Sequence, residues 1–222
     1  MNKSSKKSIR PKQSQQRPGQ QDKLEPVSET YPVLYPQGRL QGKVAIITGG
    51  DSGIGKAVSL LFAAEGADIL IAYLNETEDA RQTQKEVISL GRKCVLVKGD
   101  LGKELHCKKV VEKAKSAFGQ IDILVNNAAL HWEEKDIRDI DTAQLMRTFH
   151  SDFFSYFWMC KHTIPYLKKN GCIINTASVV AYRGSPKLLD YAAAKGAVIS
   201  FTRSLADNLV EKGIRVNAVA PG

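Results

Sequence analysis

The stretch Thr48-Gly49-Gly50-Asp51-Ser52-Gly53-Ile54-Gly55 constrains the fold of this chain more than any other. It follows Val44-Ala45-Ile46-Ile47, an apolar run suited to a buried strand. It precedes Lys56–Glu65, where apolar residues recur at helical spacing up to Gly66, a natural helix terminator. Strand, glycine turn and helix together make a phosphate cradle. Glycines let the backbone turn sharply and approach a pyrophosphate, and the helix start presents unpaired N–H groups to the anion. The spacing is Gly-x3-Gly-x-Gly rather than the commoner Gly-x-Gly-x-x-Gly, so a turn that binds nothing is the competing reading.

The rest of the chain supplies the sheet such a turn needs. Strand-like runs fall at Val44–Ile47, Asp68–Tyr73, Cys94–Lys98, Ile121–Val125, Gly171–Thr176 and Ile214–Val219. Helical stretches lie between them, at 54–65, 77–90, 103–118, 142–169 and 190–211. Repeated β-α units with unbroken apolar strands predict a doubly wound parallel sheet, a three-layer α/β/α Rossmann fold. Ligands then bind at the carboxyl ends of the strands, and every other motif sits at such an end. The 222 residues suffice for one α/β domain over 39–222.

Residues 1–38 read as a disordered basic, Gln-rich leader, with Tyr31-Pro32-Val33-Leu34-Tyr35-Pro36 as an extended strap. Within residues 1–23, Lys3, Lys6, Lys7, Arg10, Lys12, Arg17 and Lys23 face only Asp22, so most of the formal charge of +9 belongs to this tail. A basic arm for nucleic acid or an anionic surface and a solvated leader both fit. No aromatic residues interleave with the charges, which favours the leader and argues against nucleic acid. Cys94, Cys107, Cys160 and Cys172 lie far apart and read as core residues of a reduced compartment, with no metal site. No apolar run approaches membrane-spanning length and no signal core is present, so a soluble cytoplasmic protein is expected.

Chemistry concentrates at three strand ends. Asp100-Leu101 closes the third strand; Asp100 suits an adenine amino group or the N-cap of the 103–118 helix. Asn126-Asn127-Ala128-Ala129 closes the fourth, where small residues admit a ligand ring and asparagines can pin neighbouring strands, or where the chain merely turns. Ser178 follows the fifth strand, with Tyr191 thirteen residues on and Lys195 four beyond that. Positions i and i+4 share a helix face, so phenol and ammonium can meet. A neighbouring cation is expected to lower the phenol pKa, letting Tyr191 exchange a proton with a carbonyl or alcohol oxygen held by Ser178.

These residues, with Pro221-Gly222, resemble the short-chain dehydrogenase/reductase family over about 40–222, and the leader and glycine turn resemble its bacterial general-stress subgroup. The resemblance implies an NAD(P)-dependent oxidoreductase moving hydride between nicotinamide C4 and a small carbonyl or alcohol substrate. It assigns Tyr191 as acid/base, Lys195 to the nicotinamide ribose and the tyrosine pKa, and Ser178 to the substrate oxygen. The implied cofactor residues are Gly49, Asp51, Ser52, Gly53, Ile54, Gly55, Tyr73, Asp100, Leu101, Asn127, Ala128, Tyr191, Lys195, Pro221 and Gly222. NAD is expected over NADP, because Tyr73-Leu74-Asn75-Glu76 offers no Arg and Asp51 repels a 2′-phosphate.

Three departures from the family pattern bear on activity. Ala129 replaces a glycine. Asp152 stands where the family has the asparagine that organises a proton-relay water beside the lysine; paired with Lys195, it would raise the Tyr191 pKa and slow turnover. Family members also continue past Pro-Gly with a substrate loop and a seventh strand, so a missing lid and an uncovered edge at Ile214–Val219 are expected. A nucleotide-binding homologue with little turnover is therefore the alternative function. Leu145, Phe149, Asp152, Tyr156, Cys160, Ile164 and Leu167 are expected to form one inward stripe of the 142–169 helix. Phe149, Phe153, Phe154, Tyr156, Phe157 and Trp158 make that helix apolar around most of its circumference, which predicts a homo-oligomer through helices 142–169 and 190–211.

Overall fold

Six parallel strands form one sheet in the order β3-β2-β1-β4-β5-β6 in the computed structural model, which describes residues 38–222. The strands are β1 (Val44–Thr48), β2 (Asp68–Tyr73), β3 (Cys94–Lys98), β4 (Ile123–Asn126), β5 (Cys172–Thr176) and β6 (Arg215–Val219). This is the doubly wound order, with its reversal point between β1 and β4. The expected leader and strap of residues 1–37 lie outside the described residues. Among the described residues, no helix is long and apolar enough to cross a membrane.

Strand pleating divides the core into two layers. Ala45, Ile47, Ile69, Ile71, Ile123 and Val125 pack with α1 (Gly53–Ala64) and α2 (Thr77–Ser89). Ile46, Leu70, Leu124, Ile173 and Val216 point the other way. They meet α3 (Glu104–Phe118), α5 (Ser155–Thr163) and α7 (Leu189–Leu209), the last preceded by the short α6 (Val180–Arg183). Both faces are covered, so the inner strands carry consecutive apolar residues, such as Val44–Ile47 and Ile69–Ala72, rather than alternating ones. β6 is one of the two outer strands, with β3 the other, and its Arg215, Asn217, Ala218 and Val219 are exposed.

Buried polar side chains tie the carboxyl ends together. Thr48 Oγ1 at the end of β1 accepts from the backbone N–H groups of Asn127 (2.8 Å) and Ala128 (3.0 Å). Asn126 on β4 donates to Asn175 Oδ1 on β5 at 2.9 Å, and Asn175 donates to Thr202 Oγ1 on α7 at 2.9 Å. These bonds fix the two strands on either side of the reversal point, where buried polar groups must find partners.

The expected 142–169 helix is not continuous. It runs as α4 (Thr142–Phe149), a π turn (His150–Phe154), α5, and a short 3₁₀ turn (Ile164–Tyr166). A π turn inserts one residue into the helical repeat. Asp152, Tyr156 and Cys160 face inward as the stripe predicts. Upstream, the inward position moves back by one residue: Thr148 is fully buried, whereas Leu145 is exposed and Phe149 only half-buried. The aromatic face is likewise partial, since Phe149, Phe153, Phe154 and Trp158 are half-buried and Phe157 is 44% exposed.

Candidate active site

The glycine turn, the ends of β2 to β5 and the first turn of α7 enclose a cavity of about 570 Å³. Gly49, Ser52, Gly53 and Ile54 form one wall; Tyr191, Lys195 and Ser178 form the other. Asp51, Tyr73, Asp100, Leu101, Asn127 and Ala128 line the space between, with Pro221 and Gly222 at the far end.

The turn owes its shape to close backbone approach. Gly49 adopts φ +63°, and a Cβ there would come within 3.0 Å of Ala128 Cα. Gly55 lies beneath the turn rather than in the cavity lining. A Cβ at Gly55 would sit 1.8 Å from the Gly49 carbonyl oxygen, so only glycine lets α1 begin directly under the loop. Ser59 Oγ secures the junction by donating to the carbonyls of Gly55 (2.9 Å) and Gly50 (3.3 Å). This cradle fits a pyrophosphate on backbone N–H groups, and a side chain at Gly49 or Gly55 would force the turn out of shape.

One expected position needs correction. Asp100 does not cap α3: Lys103 occupies the N-cap position, and Asp100 Oδ1 instead accepts from Gly102 N at 2.8 Å within the turn. Three residues separate Asp100 from the helix start, too far for an N-cap bond. Asp51 is buried, bonded by Ser52 Oγ at 3.2 Å, and its carboxyl is pushed up to about 6 by burial. Nearby Glu76 and Asp79 contribute to that rise.

Tyr191 and Lys195 lie one turn apart on α7, and the Lys195 ammonium stands 5.6 Å from the Tyr191 ring centre. Ser178 and Tyr191 line the same cavity, and the Ser178 side chain favours the ionised form of the Tyr191 phenol. The expected depression of the phenol pKa is not found. Burial pushes Tyr191 above its ordinary value, Ser178 pulls it back, and the Asp152 carboxylate pushes it up again. Lys195 points past the phenol into the core, where it is fully buried. Its Nζ donates to Thr176 O (2.9 Å) and Tyr156 OH (3.1 Å) and lies 3.8 Å from Asp152 Oδ2.

Asp152 is fully buried in the π turn. Its Oδ1 accepts from Leu130 N at 2.8 Å and from Ser151 Oγ, while Oδ2 has no hydrogen-bond partner. Burial raises its carboxyl to about 6 despite the opposing Lys195 charge. The same burial lowers Lys195, against the pull of Asp152. Three participants escaped the sequence reading: Thr48, Tyr156 as a polar partner, and the Thr176 carbonyl. Only Tyr156 carried a signal, a phenol on the inward stripe one turn after Asp152.

The Gly55→Ala variant is expected to lose nucleotide binding, because the new methyl group must displace Gly49 and open the turn. Calorimetric titration with NADH checks this; wild-type affinity in a folded Gly55→Ala protein would contradict the steric account.

Comparison with known proteins agrees with this geometry. Residues 43–222 match the short chain dehydrogenase family. General stress protein 39 of Bacillus subtilis (strain 168) is 51% identical over 215 residues, 96% of this chain and 75% of that protein. The uncharacterized oxidoreductase YhxC of the same organism is 50% identical over 217 residues, 98% of this chain and 76% of that protein. A crystal structure of a short chain dehydrogenase from Burkholderia cenocepacia J2315 in complex with NADP superimposes with a TM-score of 0.81 at 34% identity. That match covers 83% of this chain and 75% of the other. With the reversed sheet order, the glycine cradle and these matches, the chain belongs to the short-chain dehydrogenase family and is an NAD(P)-dependent oxidoreductase.

Proposed function

We propose that this chain interconverts a small carbonyl compound and its alcohol, with Tyr191 as acid/base, Ser178 holding the substrate oxygen and Lys195 supporting the phenolate. The observation that carries this reading is the placement of Ser178, Tyr191 and Lys195 together in the cavity lining, with the Lys195 ammonium 5.6 Å from the Tyr191 ring centre. Two hydroxyls lining one cavity can both bond a single substrate oxygen. As negative charge develops on that oxygen, Tyr191 gives up its proton, and Lys195 stabilises the phenolate through space. The nicotinamide, when bound, supplies or accepts the hydride at the substrate carbon.

On this reading the cradle of Gly49, Ser52, Gly53 and Ile54 holds the pyrophosphate, while Gly55 underlies it. Tyr73, Asp100 and Leu101 receive the adenosine half. Asn127, Ala128, Lys195, Pro221 and Gly222 receive the nicotinamide half. Asp51 and Glu76 line the ribose end, and a 2′-phosphate there would face both carboxylates. NAD is therefore the proposed cofactor over NADP. The four free cysteines, three of them buried, suit a reducing cytoplasmic compartment, and the general-stress relative suggests a stress-related role.

A second reading, nucleotide binding with little turnover, is favoured by one observation: Asp152 is a carboxylate buried 3.8 Å from Lys195. Ionised, it opposes the cation's help to Tyr191; protonated, it does not. Its raised pKa means the folded site keeps this proton up to about pH 6 and loses it above. Aldehyde reduction should therefore rise as pH falls through about 6. Asp152→Asn should erase that limb and increase kcat at pH 8. Tyr191→Phe should lower kcat by at least about 100-fold in either background. An Asp152→Asn protein with wild-type kcat and pH profile would show the position to be indifferent, and an active Tyr191→Phe would refute the assignment.

Steady-state kinetics should give a KM for NADH at least about tenfold below that for NADPH, as about 1.4 kcal/mol of repulsion implies. A strong NADPH preference would overturn the cofactor proposal. The outer faces of α4, α5 and α7 are proposed to bind a second copy. There Phe157, 44% exposed, packs on Phe201 at 5.4 Å between ring centres, leaving aromatic surface in water. Sedimentation velocity should find a dimer or larger; a stable monomer contradicts this.

A further inference from the structure

Asp190 immediately precedes Tyr191 and is 4% exposed, yet no step of the proposed chemistry uses it. A buried carboxylate is costly unless its oxygens are bonded, and each oxygen of Asp190 is. Oδ2 accepts from Thr148 Oγ1 at 2.7 Å and from Gln144 Nε2 at 3.3 Å, both on α4. Oδ1 accepts from the backbone N–H of Tyr191 at 2.9 Å. One side chain thus joins both ends of α4, at Gln144 and Thr148, to the first turn of α7.

The position of this bridge matters at both ends. Leu188, at the N-cap of α7, supplies no side-chain cap, so Asp190 is the acidic group of that first turn, where the helix dipole favours negative charge. On α4, Thr148 is fully buried and stands two residues before His150, where the π turn that carries Asp152 begins. The bridge therefore sets the phase of the helix bearing Tyr191 against the turn bearing Asp152.

We propose that Asp190 is a positioning residue: by clamping α7 to Thr148 and Gln144 it fixes the Tyr191 phenol on the cavity wall that Ser178 shares and limits its contact with water. The proposal rests on Tyr191 being the acid/base of the preceding section. Without the clamp the first turn of α7 frays and the phenol drifts from Ser178. A misplacement of about 1 Å can cost about 100-fold in rate.

Asp190→Ala, Asp190→Asn, Thr148→Val and Tyr191→Phe proteins test this with two readouts. The first is kcat and KM for NADH-dependent reduction of propanal. The second is the Tyr191 phenolate absorbance titration, isolated by difference against Tyr191→Phe. Asp190→Ala should lower kcat about 10- to 100-fold while KM for NADH changes less than about twofold. The Tyr191 titration should move down toward the ordinary tyrosine value as water reaches the ring. Asp190→Asn, whose amide can bond the same partners, should retain most of the rate. A folded Asp190→Ala protein with wild-type kcat and titration overturns the proposal. Should Asp190→Ala not fold, Thr148→Val, which deletes one hydroxyl, decides by the same two readouts. An active Tyr191→Phe would instead refute the acid/base assignment, and the titration would still report whether Asp190 holds the ring.

Discussion

A fully buried ammonium is the constraint around which the catalytic half of this molecule is assembled. Lys195 has no contact with solvent, and an isolated charge in that position would be strongly unfavourable. Its partners come from three separate elements: the Thr176 carbonyl at the end of β5, the Tyr156 hydroxyl on α5, and the Asp152 carboxylate in the π turn. The cation is tolerable only when all three are in place. Sheet, α5 and α7 must therefore dock in one register, and that register also brings Tyr191 to Ser178.

The π turn is the device that makes this docking possible. One extra residue between α4 and α5 rotates the two halves of the helix relative to one another. Downstream, Tyr156, Met159 and Cys160 pack against the sheet; upstream, Thr148 turns toward α7. The extra residue is Asp152's neighbourhood, and it leaves Oδ2 facing Lys195 with no hydrogen bond. Asp152 and Lys195 each shift toward the neutral form, because burial outweighs their mutual attraction. Asp152 thereby raises Tyr191 rather than leaving the cation free to lower it.

The nucleotide half depends on a different kind of constraint, steric rather than electrostatic. Gly55 beneath Gly49, and Gly49 against Ala128, bring three backbone segments within van der Waals contact. Thr48 accepts the N–H groups of Asn127 and Ala128, so the β4 turn is bonded to the same strand end that launches the glycine loop. The Asn126–Asn175–Thr202 chain extends this bonding across β5 to α7. Cradle and catalytic residues are thus parts of one connected network of strand ends.

Much of this was legible in the chain itself. Strand runs such as Asp68–Tyr73 and Cys94–Lys98 keep their expected bounds, because unbroken apolar β-branched segments between glycine and polar turns encode their own conformation. The Tyr191–Lys195 pairing was equally local, a consequence of helical spacing, and the glycine spacing announced the cradle. What lies beyond local spacing came only from the fold. The inward shift from Phe149 to Thr148, the displacement of Asp100 from the α3 cap, and the upward direction of the Tyr191 pKa all depend on neighbours distant in sequence. Thr48 and the Thr176 carbonyl gave no sign, since a threonine or a backbone oxygen at a strand end looks the same whether or not another strand's turn or a lysine reaches it. Periodicity determines which face a segment buries; only the packed structure decides which groups that face meets, and burial beside those groups sets their charge.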